Sequence, residues 1–206
     1  YQLIISSWHS YRIKPWKIYG PKGTKKFIKK IMDAWADERK LRISYESRAS
    51  AKAFDIQVTE FRSIGNIKIK DLNIKYFEVD HKPVKFAYGF CFTYKHKKLT
   101  ISGDTRPCEN LMKYAQNSDV LLHEVFIEGE ILQINKMRTQ KTLHNVQSYH
   151  TTSSQVGKVA FIARAKKLVL THFVPTRFNK NTLKKVVNKD FGKDPIIGED
   201  LMTIKV

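Results

Sequence analysis

Two short apolar runs constrain this chain more than any other feature: DVLLHEV at 119–125 and KLVLTHF at 167–173. Neither alternates polar with apolar residues, so neither suits a half-exposed surface. Each reads as a strand covered on both faces, the condition of a parallel sheet flanked by helices. The stretch between them includes TTSSQVGKVAFIA, a run of capping residues followed by apolar positions, which predicts a helix from Ser153 to Ala165.

The remaining elements fit the same alternating plan. WKIYG reads as a short strand closed by the Gly20-Pro21-Lys22-Gly23 turn. Thr24 is placed to cap a helix in which Phe27, Ile28, Ile31, Met32 and Trp35 recur at helical spacing. From Leu41 to Tyr94 the chain reads mainly as strands, with IKIKDLNIKYFEV as two runs joined at Asp71 and FAYGFCFTY as a third. KLTISG is a short strand leading to a helix from Asn110 to Gln116; a helix around Asn181 to Asn188 and a last strand, DLMTIKV, close the chain. Together they predict an α/β layered fold with a β-rich first half. No Pro- or Ser-rich linker divides it, so residues 1–206 read as a single domain.

Composition narrows the classes further. With 42% hydrophobic residues the chain can bury a core, which excludes a disordered chain. No run approaches the ~18 apolar residues of a membrane span, and YQLIISSWHSYRIKPW lacks the basic segment of a signal peptide. Cys91 and Cys108 are too few for a disulfide framework and read as reduced thiols of a cytoplasmic protein. The formal net charge of +19 is spread over KKFIKK, KHKK, RAKK and KKVVNK, a field that attracts polyanions and equally a surface that keeps a lysine-rich protein soluble.

Polar residues sit at the ends of the apolar strands. His81 follows YFEVD, Asp104 follows LTISG, His123-Glu124 follows DVLL, and His172 follows KLVLT, while His150 precedes the TTSSQVGKVA helix. Histidine and aspartate on the rims of several strands are the donors that borderline metals take. Each alone is equally a structural histidine or a turn aspartate. His9, His96 and His144 have no comparable setting and read as surface or packing residues.

In combination and in order, ISGDTRPCENL, DVLLHEVF, YHTTSSQVGKVA, KLVLTHFVPTRF and IIGEDLM resemble the ribonuclease Z-like branch of the metallo-β-lactamase superfamily. WKIYGPKGTKKFIKKIMDAW is similar to the segment that follows that family's main metal motif. The resemblance implies a four-layered αββα sandwich carrying two metal ions, zinc in the usual case and manganese or iron as alternatives. It implies His81 and His172 as histidine ligands, Asp104 as the bridging carboxylate, and His150 with Glu124 as the pair that protonates the leaving oxygen. It also places the Thr151 hydroxyl or N–H near a substrate phosphate, and leaves His123 a structural part.

The family's His-x-His-x-Asp-His signature does not occur in these 206 residues, and the chain starts without Met. The expectation is therefore a shortened chain lacking its first strands and metal loop, with about two ligands per metal where zinc takes three or four. Low metal occupancy, little activity and an open sheet edge that admits a homodimer follow from that. Only one hairpin separates His81 from Asp104, which leaves no room for the tRNA-gripping arm common in the family. Three readings emerge: a phosphodiesterase acting on RNA, a hydrolase of small anionic esters such as a cyclic nucleotide or sulfate ester, and a non-catalytic nucleic-acid-binding or assembly subunit.

Overall fold

In the computed structural model, residues 1–129 and 139–206 are described. No linker composition marks a boundary in the sequence, yet the chain forms two compact units, 1–62 and 63–206.

The first unit runs α1 (Gln2–His9), β1 (Trp16–Gly20), α2 (Thr24–Ala34), α3 (Ala36–Glu46) and β2 (Ile56–Glu60). β1 and β2 pair in parallel, and Ile5 and Trp8 of α1 bury against Ala53 and Phe54 of a short 3-10 turn. Trp8 Nε1 donates to the Ser50 carbonyl at 2.8 Å, so the indole is buried without losing its hydrogen bond. α3 corrects the expectation of strands from Leu41 onward. Its apolar residues are exposed or half-buried, and Glu38, Arg42 and Glu46 pair at i,i+4, with Asp37 and Glu38 in the first turn. These local charge pairs favour a helix and escape a reading based on apolar alternation. Thr24 is also corrected: Gly23, at φ 101°, caps α2, while Thr24 Oγ1 donates to the Pro21 carbonyl.

The second unit holds β3 (Ile64–Ile69), β4 (Leu72–Glu78), β5 (Tyr88–Tyr94), β6 (Lys97–Ile101), α4 (Glu109–Tyr114), β7 (Val120–Phe126), α5 (Gln140–Gln147), α6 (Ser153–Ile162), β8 (Lys167–Val174), α7 (Lys180–Phe191) and β9 (Ile196–Ile197). Its strands form one sheet in sequence order, β3 to β9. β3 to β6 pair antiparallel, and β6 to β9 pair in parallel. Parity then decides where the chemistry lies. β4 is antiparallel to β5, and β5 to β6, so β4 runs in the direction of β6, β7 and β8. The carboxyl ends of all four open on one rim, the usual place for ligands in such sheets.

The core is the contact between this sheet and its helices. Leu121, Val125, Leu168 and Leu170 from β7 and β8 meet Val156, Val159 and Ala160 of α6 and Leu183 and Val187 of α7. The two uninterrupted apolar runs are thus buried, as their composition requires. The predicted last strand DLMTIKV is absent; Ile196 and Ile197 take its place beside Val169 and Leu170, and Leu201 and Met202 are exposed. The apolar pair PII, not the mixed tail behind it, finds the sheet edge.

α6 and α7 approach closely at Gly157, where an added Cβ would meet the Val187 carbonyl oxygen at 2.4 Å. Gly157→Ala should therefore lower stability in urea unfolding by about 1–3 kcal/mol, the cost of overpacking a tight core. An unchanged midpoint would contradict this packing.

Candidate metal and proton-transfer site

The rim of the second unit gathers residues from five segments. His81 follows β4, Asp104 follows β6, Glu124 lies in β7, His172 lies in β8 and His150 precedes α6. His172 Nδ1 is 3.2 Å from Asp104 Oδ1, and His150 Nδ1 is 3.1 Å from Glu124 Oε1. The His150 ring centroid lies 5.1 Å from that of His81 and 5.7 Å from that of His172. Glu124, His150 and His172 also place one donor atom each within 4.8 Å of one another.

Local backbone features aim these groups. Asp104 sits in a turn whose Gly103 has φ 63°, and a Cβ there would meet the Tyr88 carbonyl oxygen at 2.4 Å. Only glycine turns the strand into the site at that point. His172 occupies a β-bulge: Glu124 pairs with Thr171 and Val125 with Phe173, leaving His172 unpaired in the register. Its φ is 45°, an uncommon conformation for a residue with a Cβ. The bulge re-aims an imidazole that regular alternation would point elsewhere.

Hydrogen bonds fix the remaining rings. The Tyr149 carbonyl accepts from His81 Nδ1 at 2.8 Å, so Nδ1 carries the proton and Nε2 keeps a free lone pair. That is the tautomer a metal-ligating histidine needs. Glu124 Oε1 accepts the backbone N–H of Thr151 at 2.9 Å and of Thr105 at 3.2 Å, and its Oε2 is buried with no partner among the described residues. Thr151 is fully buried, and its hydroxyl donates to the Thr105 carbonyl at 2.6 Å. Both of its polar groups are thereby engaged within the protein, which makes it a tie between two loops. His123, on the opposite face of β7, donates from Nδ1 to the Glu124 carbonyl at 2.7 Å, and burial pushes its pKa down.

Sequence reasoning missed the clamp that holds the His81 loop against the Asp104 loop. Arg106 donates its Nε at 2.8 Å, with Nη2 at 2.7 Å, to Asp80 Oδ2, and its backbone N–H donates to the Asp80 carbonyl. The Arg106 guanidinium holds the Asp80 carboxyl below the usual carboxylate range. Thr105 Oγ1 adds contacts to the Asp80 backbone. Charged residues flanking two candidate ligands, VDH and DTRP, were the available signal.

The chemistry of this donor set fits a metal. The His81 imidazole, its tautomer defined, shares with His150, His172 and two carboxylates a rim where the sheet leaves strand ends open. No family model matches the chain. It is 26% identical over 196 residues to the ribonuclease Z of Mycobacterium avium strain 104, covering 93% of this chain and 68% of that protein. The chain is thus similar to proteins named ribonuclease Z and shares the metallo-β-lactamase fold. Among solved structures, it is similar to the metallo-β-lactamase fold protein YhfI from Bacillus subtilis, at TM-score 0.61 and 17% identity. It also resembles the short form of human tRNase Z, at TM-score 0.59 and 22% identity. It spans 62% of the first and 66% of the second, while they cover 89% and 93% of it.

The buried tie through Thr151 is directly testable. Thr151→Val keeps the shape and the N–H but leaves the Thr105 carbonyl without its hydroxyl donor, so stability should fall by about 1–3 kcal/mol. Chemical denaturation measures this; a neutral substitution would remove Thr151 from the architecture of the site.

Proposed function

We propose that the protein is a metal-dependent hydrolase of phosphodiesters with RNA as its substrate, cytoplasmic in keeping with its free Cys91 and Cys108. The observation that carries this reading is the convergence of His81, Asp104, His172, His150 and Glu124 on one rim of the sheet. The similarity to ribonuclease Z and to tRNase Z supports RNA as the substrate class and tRNA precursors as the first RNAs to examine. The spread of +19 formal charge supports a polyanion. Among the described residues, no helix is long and apolar enough to cross a membrane.

His81, Asp104 and His172 are the residues that would hold metal, with zinc the first choice for two imidazoles and a carboxylate. What zinc supplies when bound is activation of a water and neutralisation of phosphoryl charge. The protein's own residues supply position and a proton. Glu124 faces His150 Nδ1 and is itself fixed by two backbone N–H groups. His150 Nε2 is then the atom that gives a proton to the departing oxygen, an imidazole oriented by a carboxylate. Glu124 cannot swing away without unsealing two loops, so its role is to hold that ring.

The test uses zinc-supplemented protein that also carries the family's His-x-His-x-Asp-His loop, with an RNA oligonucleotide as substrate. His150→Ala should lower kcat by about 10²–10⁴-fold while zinc content stays unchanged. Asp104→Ala should remove both zinc and turnover. Cleavage that survives Asp104→Ala would overturn the proposal.

A further inference from the structure

A second cavity reaches His150 from beside the helix α5. It has a volume of about 400 Å³, and its walls include Arg106, His144, Gln147, Ser148 and His150. Among the described residues, no acidic one lines it. The neighbouring cavity of about 540 Å³ beside His81 is different, because Glu78, Asp80 and Glu109 line it together with Lys82 and Lys85. Acidic side chains thus share the walls of one cavity, while the described walls of the other are cationic or neutral.

The wall residues are arranged for recognition. His144 and Gln147 lie three positions apart on α5 and share a helix face. Neither side chain has a hydrogen-bond partner among the described residues. Arg106 spends Nε and Nη2 on Asp80, which fixes the guanidinium plane and leaves Nη1 for another acceptor. A braced arginine suits a phosphate, and histidine and glutamine suit the face and edge of an unstacked base. The volume lies at the small end for ligand pockets, suited to one nucleotide and too small for a duplex.

We infer that this cavity is the subsite for the nucleotide whose oxygen departs, an inference that rests on the phosphodiester reading. The nucleotide's own 5′ phosphate lies on Arg106, its base lies against His144 and Gln147, and its ribose 3′ oxygen points to His150. As the oxygen of a water bonds to phosphorus and releases one proton to the solvent, the bond from phosphorus to that ribose oxygen breaks. The bonding pair leaves with the oxygen, which takes its proton from His150 Nε2. The cavity thus supplies the specificity for a nucleoside on the leaving side.

The experiment titrates the protein with adenosine and uridine 5′-monophosphate and follows the histidine ring signals by NMR. The signals of His144 and His150 should shift, and His144→Ala and Gln147→Ala should each weaken nucleotide binding about tenfold, the loss of one good contact. Binding of inorganic phosphate should respond to Arg106→Gln and not to those two variants. Asn145→Ala, on the same helix and outside the cavity walls, should bind nucleotide like the parent. Because His144 is exposed and Gln147 half-buried, circular dichroism can verify that their variants remain folded. Absence of nucleotide shifts, or equal affinity in all variants, overturns the subsite. Nucleotide binding lost in His144→Ala by a protein that cleaves no phosphodiester keeps the subsite and overturns the catalytic reading; cleavage without such binding does the reverse.

Discussion

The site depends on one buried acceptor. Glu124 Oε1 receives the N–H of Thr105 from the loop after β6 and the N–H of Thr151 from the loop before α6. Those loops carry Asp104 and His150, so a single carboxylate oxygen sets the spacing between the candidate metal-bridging group and the candidate acid. Backbone donors compensate the lost hydration of this one oxygen, while Oε2 is buried without a partner among the described residues. Thr151 reinforces the same junction through the Thr105 carbonyl, and the pairing of Phe126 with Thr152 extends it into the sheet. The consequence for chemistry is preorganisation: the loops that carry Asp104 and His150 are held together before any substrate arrives.

Against that fixed centre, two ligand loops are adjusted separately. His172 reaches the site through a β-bulge with a left-handed backbone, a conformation the surrounding β7–β8 pairing must impose. His81 reaches it through a loop tied down by Arg106 and Asp80, with its tautomer set by the Tyr149 carbonyl. The strained residue and the clamped loop both face the rim where four parallel-running strand ends open. Stability is spent there on aim, while the apolar contacts of β7, β8, α6 and α7 hold the unit together.

Much of this was legible in the chain. DVLLHEV and KLVLTHF could only be buried strands, and their positions at the centre of the parallel half follow from that. Asp104, His81 and His172 stood out because polar groups ended apolar runs, and His150 because it precedes a capped helix. α3 did not, since i,i+4 charge pairs rather than an apolar stripe support it. DLMTIKV looked like a strand from its own alternation, but the free edge of β8 was taken by Ile196 and Ile197. The function of Asp80, Arg106, His144 and Gln147 was hidden for another reason. Each acts through a partner or a cavity distant in sequence, and no local pattern encodes which loop will lie opposite.

The most direct measurement is the zinc-edge anomalous difference map of a crystal of the protein grown with zinc. The account expects density bounded by His81 Nε2, the Asp104 carboxylate and the His172 imidazole, with Glu124 still turned to Thr105, Thr151 and His150. Zinc held instead by Glu124, His150 and His172, the one trio among the described residues whose donor atoms lie within 4.8 Å of one another, would contradict the division between metal ligands and proton donor. A rim that takes up no zinc even when the protein also carries the His-x-His-x-Asp-His loop would contradict the metal site itself.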